Sequence, residues 1–383
     1  MSQPIEKRIS ARLATVRENG LYRQLRSPAG IDLCSNDYLG LAAHPRLKER
    51  MIESIRREGC GSTGSRLLRG HREAFTRVEK RFARFKGTES SLYFSTGYAA
   101  NVSVLTTFVE EGDVVFSDQL NHASIIDGAR LSRGRRIVFR HNDVEDLARR
   151  IGENDGNARF VVVESLFSMD GDEAPLTDYA ALCDATGCAL IVDEAHAVGV
   201  FGTSGSGLIE ESGIGDSVFL SINTAGKALG VSGAFVCGSR TAIDYLVQHA
   251  RPFIFSTAPP PSVAAGIEAA LDLVESEPRR RASLLALSSQ LRARLCDRFP
   301  IPEGRSQIIP VVIGGNEEVV ALASSLQSEG YDVRAVRPPT VAPGTARLRI
   351  SLNADLSPAV IDDFAGTLLR TAPRLPAAAV STR

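Results

Sequence analysis

The sequence predicts an α/β protein: a large domain built on a mostly parallel seven-stranded sheet covered by helices, followed by a smaller α+β domain. Short, wholly apolar runs such as residues 160–163 and 189–192 alternate with segments of helical periodicity. Strands that are apolar on both faces are typical of a parallel sheet between helices. Polar or titratable residues follow several of these runs, and open α/β sheets build their sites at the carboxyl ends of strands.

The elements of the large domain alternate along the chain. A helix is predicted over residues 5–26, a short strand over 31–33 and a helix over 45–58 that Gly59 ends. Seven further strands are predicted at 91–94, 114–116, 137–139, 160–163, 189–192, 218–221 and 234–237, with helices between most of them.

The alternation ends at a proline-rich segment, residues 256–261. Two helices are predicted after it, at 263–275 and 278–299, and then strands at 308–313, 333–336 and 348–351, with helices at 317–329 and from 358. The expected domains are an N-terminal helix and arm (1–45), a large cofactor-binding domain (46–262) and a small C-terminal domain (263–383). The Pro/Ala-rich tail from about residue 373 is expected to be disordered.

Composition narrows the classes of function. The net charge of −1 argues against nucleic acid or an anionic membrane as the main partner. The six cysteines include no CxxC pair, so no metal site is expected, and reduced thiols indicate a cytoplasmic protein. No apolar stretch is long enough to span a membrane or to form a signal peptide at the N-terminus.

Lys227 is the residue on which the functional prediction depends. It follows an apolar run and is framed by small residues, which leave room for a bulky group on its amine. Asp193 and His196 follow the strand predicted at 189–192, and His122 follows an earlier one. Together with a phosphate-holding turn, these residues are what pyridoxal phosphate requires.

Each side chain would have a separate task. Lys227 would form a Schiff base with the cofactor, and Asp193 would keep the pyridine nitrogen protonated, so that the ring accepts electrons. His122 would stack on the ring, and His196 would hydrogen-bond its phenolic oxygen. Residues 95–98 (STGY) lie between a strand and a helix, where exposed N–H groups can hold a phosphate, although a plain helix cap would give the same pattern.

Residues 59–64 (GCGSTG) satisfy GxGxxG, which in another context would indicate a dinucleotide-binding fold. That motif requires a preceding strand, whereas residues 47–58 read as a helix. A glycine loop that shapes a substrate site is therefore favoured, and Ser65, which follows it, is a candidate substrate contact.

Several stretches resemble the α-oxoamine synthases, a family of fold-type I pyridoxal phosphate enzymes, and the resemblance covers nearly the whole chain. It rests on residues 35–40 (SNDYLG), 121–124 (NHAS), 192–196 (VDEAH), 224–227 (TAGK) and 255–257 (FST). Two more stretches, 167–172 (FSMDGD) and 337–349 (RPPTVAPGTARLR), resemble the branch that joins L-alanine to a pimeloyl thioester for biotin synthesis.

The resemblance implies a role for each matching position. Ser168 would join His196 at the phenolic oxygen, and Gly97 and Tyr98 would lie at the cofactor beside its phosphate. The remaining candidates are Thr224 for the phosphate, Ser256 and Thr257 for the same phosphate from a neighbouring subunit, Arg347 with Asn36 for the amino-acid carboxylate, and Arg23 and Thr340 for the acyl substrate.

The implied reaction is a decarboxylating condensation of L-alanine with a pimeloyl thioester, carried on coenzyme A or on acyl carrier protein. Lys227 would act as tether and then as base, while His122 would polarise the thioester carbonyl. The implied assembly is a homodimer with shared active sites. Three alternatives stay open: a family member with other substrates, such as a glycine acetyltransferase or a serine palmitoyltransferase, a catalytically silent subunit, and a dinucleotide-dependent oxidoreductase.

Overall fold

The computed structural model describes residues 3–373, and the chain divides into two compact units. One unit comprises residues 36–168 and 172–282, and the other comprises the N-terminal residues to 35, residues 169–171 and the chain from 283. Apart from residue 373, the predicted tail lies outside the described residues. Among the described helices, none combines the length and apolar composition needed to cross a membrane.

The unit of residues 36–168 and 172–282 contains a seven-stranded sheet of β2–β8. The strands are β2 (Ser90–Phe94), β3 (Val114–Asp118), β4 (Arg135–Phe139), β5 (Arg159–Glu164), β6 (Ala189–Asp193), β7 (Val218–Thr224) and β8 (Ala234–Gly238). Their order across the sheet is β2-β8-β7-β6-β5-β3-β4, and β8 alone runs in the direction opposite to the other six strands. This confirms the predicted mostly parallel sheet.

Helices alternate with these strands. They are α2 (Pro45–Glu58), α3 (Glu73–Lys86), α4 (Gly97–Phe108), α5 (Ala123–Leu131), α6 (Val144–Gly152), α7 (Leu176–Thr186), α8 (Leu208–Ser212), α9 (Arg240–His249), α10 (Arg251–Ile254) and α11 (Pro261–Ser276). The strands read as almost wholly apolar because both faces of the sheet are buried, as the fully buried patterns of β3 and β8 illustrate. One hydrophobic core joins β2, β5, β7 and β8 to α4, α5 and α9.

The second unit carries the N-terminal helix and most of the C-terminal elements. They are α1 (Pro4–Glu18), β1 (Ile31–Asp32), β9 (Ile308–Gly314), α13 (Asn316–Ser328), β10 (Tyr331–Asp332), β11 (Ala335–Val336), β12 (Ala346–Ser351) and α14 (Pro358–Thr371), with α12 (Pro278–Leu295) crossing the boundary at residue 282. A three-stranded antiparallel sheet has the order β11-β12-β9, and β1 pairs in parallel with β10.

Two element boundaries in this unit differ from the prediction. Helix α1 ends at Glu18 rather than at residue 26, because Gly20 adopts a left-handed φ of 64° just beyond its end. Of the strand predicted over 333–336, only β11 (Ala335–Val336) is a strand, and β10 (Tyr331–Asp332) lies before this range and in a different sheet. The Asp332 carboxylate, at the end of β10, accepts hydrogen bonds from the Ala29 N–H (3.2 Å) and from the Arg334 side chain (3.1 Å), just before β11 begins.

Candidate active site

The carboxyl ends of β5, β6 and β7 bring three polar side chains to the same edge of the sheet. Glu164 ends β5, Asp193 ends β6 and Thr224 ends β7. These strands are adjacent and parallel, and Glu164 is the register partner of Asp193. The prediction named Asp193 and Thr224 but missed Glu164, although Glu164 also follows a wholly apolar run and the same rule would have found it.

Lys227 lies in the loop that joins β7 to β8. The loop is closed by backbone hydrogen bonds from the Ala225 N–H to the Gly233 carbonyl (2.8 Å) and from the Val231 N–H to the Ala225 carbonyl (2.9 Å). The half-buried Lys227 places Nζ 2.7 Å from Nε2 of His196. The two residues predicted to act at the cofactor ring are therefore in direct contact.

His196 also contacts Tyr38, which in turn contacts Asn36. Its Nδ1 lies 2.6 Å from the hydroxyl of Tyr38, and that hydroxyl donates to Oδ1 of Asn36 over 2.9 Å. Tyr38 is fully buried and was not among the predicted site residues. It stands within the stretch 35–40, which entered the prediction only as part of the family resemblance.

Asp193 is buried and held by two donors. The Ala195 N–H donates to Oδ1 (2.8 Å), and the Asn101 amide donates to Oδ2 (2.6 Å). A carboxylate has about four lone-pair sites, so these bonds leave it able to accept from a protonated ring nitrogen. A buried carboxylate needs a cationic partner, and a protonated ring nitrogen is one.

His122 caps helix α5 and contacts the same group of residues. Its backbone N–H donates to Glu164 Oε1 (2.6 Å), and its Nδ1 lies 2.7 Å from the Ser124 hydroxyl. Desolvation lowers the pKa of His122, and the charge of Lys227 acts in the same direction, against that of Asp193. Burial, followed by the charge of Asp193, raises the pKa of Glu164 to about 8.

A phosphate-sized anion would find donors at the start of helix α4. Thr96 caps the helix by accepting from the Ala99 N–H (3.0 Å), and a β carbon added at Gly97 would contact Thr224 at 4.0 Å. The Thr224 hydroxyl and the N-terminus of α4 therefore face each other, and the absent side chain of Gly97 leaves space between them. Tyr98 is exposed and donates its hydroxyl proton to Asp127.

The glycine loop meets the segment after α10 through a backbone bridge between Ser65 and Thr257. Ser256 and Thr257 are exposed, and Ser65 is half-buried. The next residue, Arg66, forms two hydrogen bonds with the Glu79 carboxylate (3.0 and 3.1 Å) and is mostly buried. The Arg66 guanidinium is therefore paired with a carboxylate inside the protein.

Ser168 lies at the start of a turn between two bridged residues. Leu166 and Glu173 form an antiparallel bridge, and between them Asp172 lies 2.7 Å from Nε2 of His141. Nδ1 of the same ring lies 2.9 Å from the buried Asp118. Burial alone would lower the pKa of His141, but these hydrogen bonds and carboxylate charges raise it to about 10.

The other unit contains the three remaining predicted residues, Arg347, Arg23 and Thr340. Arg347 lies on β12, is almost fully buried and pairs with Asp170 through one guanidinium nitrogen. Thr340 is exposed, and Arg23 donates to the carbonyl of Pro338 (3.0 Å).

The residues at the sheet edge fit pyridoxal phosphate. They combine a lysine amine, a buried carboxylate with spare acceptor sites, two imidazoles and a helix N-terminus beside a threonine hydroxyl. Asn101, which was not among the predicted site residues, donates to Asp193 and to Ser124, whose hydroxyl contacts the His122 ring. Among the described residues, no group of His, Cys, Asp and Glu is arranged to hold a metal ion.

Comparison with known proteins agrees with this fold. The family model for aminotransferase class I and II matches residues 28–368. A serine palmitoyltransferase from S. paucimobilis, solved with bound PLP and myriocin, superposes with a TM-score of 0.90 at 30% identity, over 97% of this chain and 98% of that one. The fold and the family match define the class as a fold-type I pyridoxal phosphate enzyme.

Sequence relatives narrow the family. The 8-amino-7-oxononanoate synthase of Anaeromyxobacter dehalogenans is 46% identical over 356 residues, 93% of this chain and 89% of that protein. That of Alkalilimnicola ehrlichii is 42% identical over 380 residues, 95% and 97% of the two chains. The solved enzyme of this name from Francisella tularensis has a TM-score of 0.77 at 28% identity, over 89% and 97%. The chain belongs to the 8-amino-7-oxononanoate synthase family.

Proposed function

We propose that this protein condenses L-alanine with a pimeloyl thioester, with loss of carbon dioxide, to give 8-amino-7-oxononanoate for biotin synthesis. The direct contact between Lys227 Nζ and His196 Nε2 at the sheet edge is the observation that carries the proposal. It places an amine that can hold a proton beside an imidazole that can orient it. The names of relatives at 42–46% identity supply the substrates.

The residues at the sheet edge would hold the cofactor in the proposed enzyme. Pyridoxal phosphate, when bound, withdraws electrons from the α-carbon of the amino acid. Asp193 would pair with its ring nitrogen, His122 would stack on the ring, and Ser168 would lie at the phenolic oxygen. Thr224 and the backbone at Gly97 and Tyr98 would receive the phosphate.

The protein groups would then move one proton and position two substrates. Lys227, released from the cofactor, would take the α-proton of alanine at Nζ and later return a proton. His122 would orient the thioester carbonyl. Arg347, assisted by Asn36, would bind the alanine carboxylate, since a planar guanidinium matches two oxygens. This requires Arg347 to exchange Asp170 for the substrate.

The acyl substrate is proposed to meet a basic concave surface on the unit that contains Arg23. Tyr22, Arg26, Val320 and Arg337 line the same concavity. Desolvation lowers the pKa of Arg337, and the neighbouring charge of Arg23 lowers it further, so the site would gain from an anion. Thr340 is proposed to lie along the acyl chain.

A homodimer with shared sites is the proposed assembly. Leu68 and Phe255 are 83% and 71% exposed, and both stand beside the bridged residues Ser65 and Thr257. Large exposed apolar side chains beside predicted site residues support a dimer in which a second copy of the chain buries them. All six cysteines are free thiols, which supports the cytoplasm as the location.

Mixing inactive variants tests the shared site. Lys227→Ala and Thr257→Ala chains, unfolded and refolded together, should recover about a quarter of the wild-type activity, because half of the pairs regain one intact site. Each variant refolded alone is the control. No recovery, with dimers present, would show that Thr257 serves its own subunit.

Product analysis decides the reaction. Purified enzyme with pyridoxal phosphate would be given alanine and pimeloyl-CoA or pimeloyl acyl carrier protein, and glycine with acetyl-CoA or serine with palmitoyl-CoA. We expect 8-amino-7-oxononanoate by mass spectrometry and little product otherwise. The higher TM-score of the serine palmitoyltransferase favours a second candidate, a serine acyltransferase, and dominant turnover of serine would establish it.

A further inference from the structure

Tyr38 belongs to a buried hydrogen-bonded chain that reaches Lys227. The contacts run from Lys227 Nζ to His196 Nε2 (2.7 Å), from His196 Nδ1 to the Tyr38 hydroxyl (2.6 Å) and from that hydroxyl to Asn36 Oδ1 (2.9 Å). Tyr38 is fully buried and His196 is 5% exposed, so water does not substitute freely for these bonds.

The direction of each bond follows from the groups at the Asn36 end. Oδ1 of Asn36 is only an acceptor, so the single proton of the Tyr38 hydroxyl goes to it. The tyrosine oxygen then accepts from Nδ1–H of His196. A neutral imidazole carries one proton, so Nε2 keeps a lone pair directed at the amine of Lys227.

The loops that carry Tyr38 and Lys227 are closely packed, which holds the hydrogen-bonded side chains in place. Asp37 fixes the turn of Tyr38 by accepting from the backbone N–H groups of Leu41 (2.9 Å) and Ala42 (3.1 Å). A β carbon at Gly230, three residues after Lys227, would stand 2.4 Å from the Ala42 nitrogen. The two loops therefore meet backbone to backbone.

We propose that Tyr38 is a positioning residue that fixes His196 in the Nδ1–H tautomer, so that Nε2 accepts a hydrogen bond from the amine of Lys227. The proposal rests on the proposed function for the chemical role of Lys227. The amine then donates to His196 and keeps its own lone pair for the α-proton. A tyrosine outside the reacting atoms would thus set the direction of proton movement at the lysine.

Histidine-selective ¹⁵N labelling measures the tautomer without substrate or turnover. The His196 signals are assigned by their loss in His196→Asn. In the wild-type enzyme we expect Nδ1 to be protonated with and without cofactor, and, without cofactor, Nε2 to have the shift of an unprotonated nitrogen. In Tyr38→Phe we expect a mixture with the Nε2–H form, and kcat lowered about tenfold with KM for alanine within about twofold.

The matched control is Tyr179→Phe. Tyr179 is equally buried, and in the described part of the chain its hydroxyl has no hydrogen-bond partner. This change should alter neither the tautomer nor kcat. A Tyr38→Phe enzyme with the wild-type tautomer and kcat would overturn the proposal.

Should Tyr38→Phe fail to fold, the wild-type spectrum without cofactor alone decides, since a protonated Nε2 there refutes the inference. The spectrum does not depend on which thioester is used. Failure of the product analysis would therefore change the reaction and leave the tautomer result standing.

Discussion

Lys86 and Glu194 form an ion pair inside the unit that contains the seven-stranded sheet. The Lys86 side chain is 2% exposed and that of Glu194 is fully buried. Lys86 also donates to the Ser206 carbonyl, and Glu194 also accepts from the Ile209 N–H (3.0 Å). Because Glu194 directly follows Asp193, the pair anchors the chain at the residue proposed to hold the cofactor ring.

Lys86→Met should therefore destabilise the enzyme strongly. The change leaves a buried carboxylate without its cation, which costs about 3–5 kcal/mol. The measurement is the midpoint of urea unfolding. Lys80→Met, an exposed lysine on the same helix, is the control and should change the midpoint little. Equal effects of the two changes would mean that the ion pair contributes little.

His141 should make stability depend on pH in one direction. Its pKa is raised in the folded protein from 6.5 to about 10, so its contribution is fully present below pH 6.5 and is lost as pH rises through about 10. The melting temperatures of wild type and His141→Gln should therefore differ most at pH 6 and converge toward pH 10. His249→Gln, at an exposed position, should show no such trend.

Glu164 should also make the folded protein less stable as pH rises, but over a more acidic range than His141. Its pKa is raised from 4.5 to about 8, so the folded state holds a proton that the unfolded state has lost, and its contribution falls as pH rises from 4.5 to about 8. Glu164→Gln keeps an acceptor for the His122 N–H but has no charge. Thermal melts from pH 5 to 8 should be flatter in this variant, and parallel curves would contradict the assignment.

Arg66 should matter for stability and hardly for substrate. Arg66→Ala leaves the Glu79 carboxylate without its two hydrogen bonds, at a cost of about 2–3 kcal/mol. KM for the thioester should stay within about twofold. Arg69→Ala, exposed in the same loop, is the control for both measurements. A large rise in KM with unchanged stability would place Arg66 at the acyl chain instead.

Lys227→Ala should abolish covalent cofactor attachment. Borohydride reduction followed by mass spectrometry should find pyridoxal phosphate on the peptide that contains Lys227 in wild type and on no peptide in the variant. Turnover should fall below about 0.1% of wild type, since tether and base are lost together. Lys80→Ala should keep both, and residual label in Lys227→Ala would show that another lysine reacts.

Much of the sheet could be predicted because its strands are apolar on both faces, which a short run such as residues 189–192 displays directly. The predicted order along the chain was right, but its order in space was not visible: β8 follows β7 in sequence and lies between β7 and β2. The helix end at residue 18 depended on the left-handed Gly20, and the later start of β11 on contacts that the sequence does not display, such as the hydrogen bonds of Asp332 with Ala29 and Arg334.

The candidate site could be predicted where a titratable side chain ends a strand, as Asp193 does. The other site residues were predicted through the family resemblance. Tyr38 and Asn101 were missed because their importance lies in long-range contacts, such as that between Tyr38 and His196, which are 158 residues apart in sequence, whereas Glu164 stands at a strand end, where the rule that found Asp193 also applies. A single sequence without its fold does not display such pairs. The roles of Arg23, Thr340 and Arg347 stay predictions.

The antiparallel strand β8 limits where residues can be inserted into or deleted from this protein. Between parallel neighbours the chain passes through a crossover segment, which can absorb insertions. From Thr224 at the end of β7 to Ala234 at the start of β8, in contrast, the chain returns directly through residues 225–233. Its backbone bonds tie Ala225 to both Gly233 and Val231. An added or deleted residue here would shift the reactive amine against two strands at once, so we expect linker-insertion libraries to recover active enzyme almost everywhere on the surface before they do so in this segment.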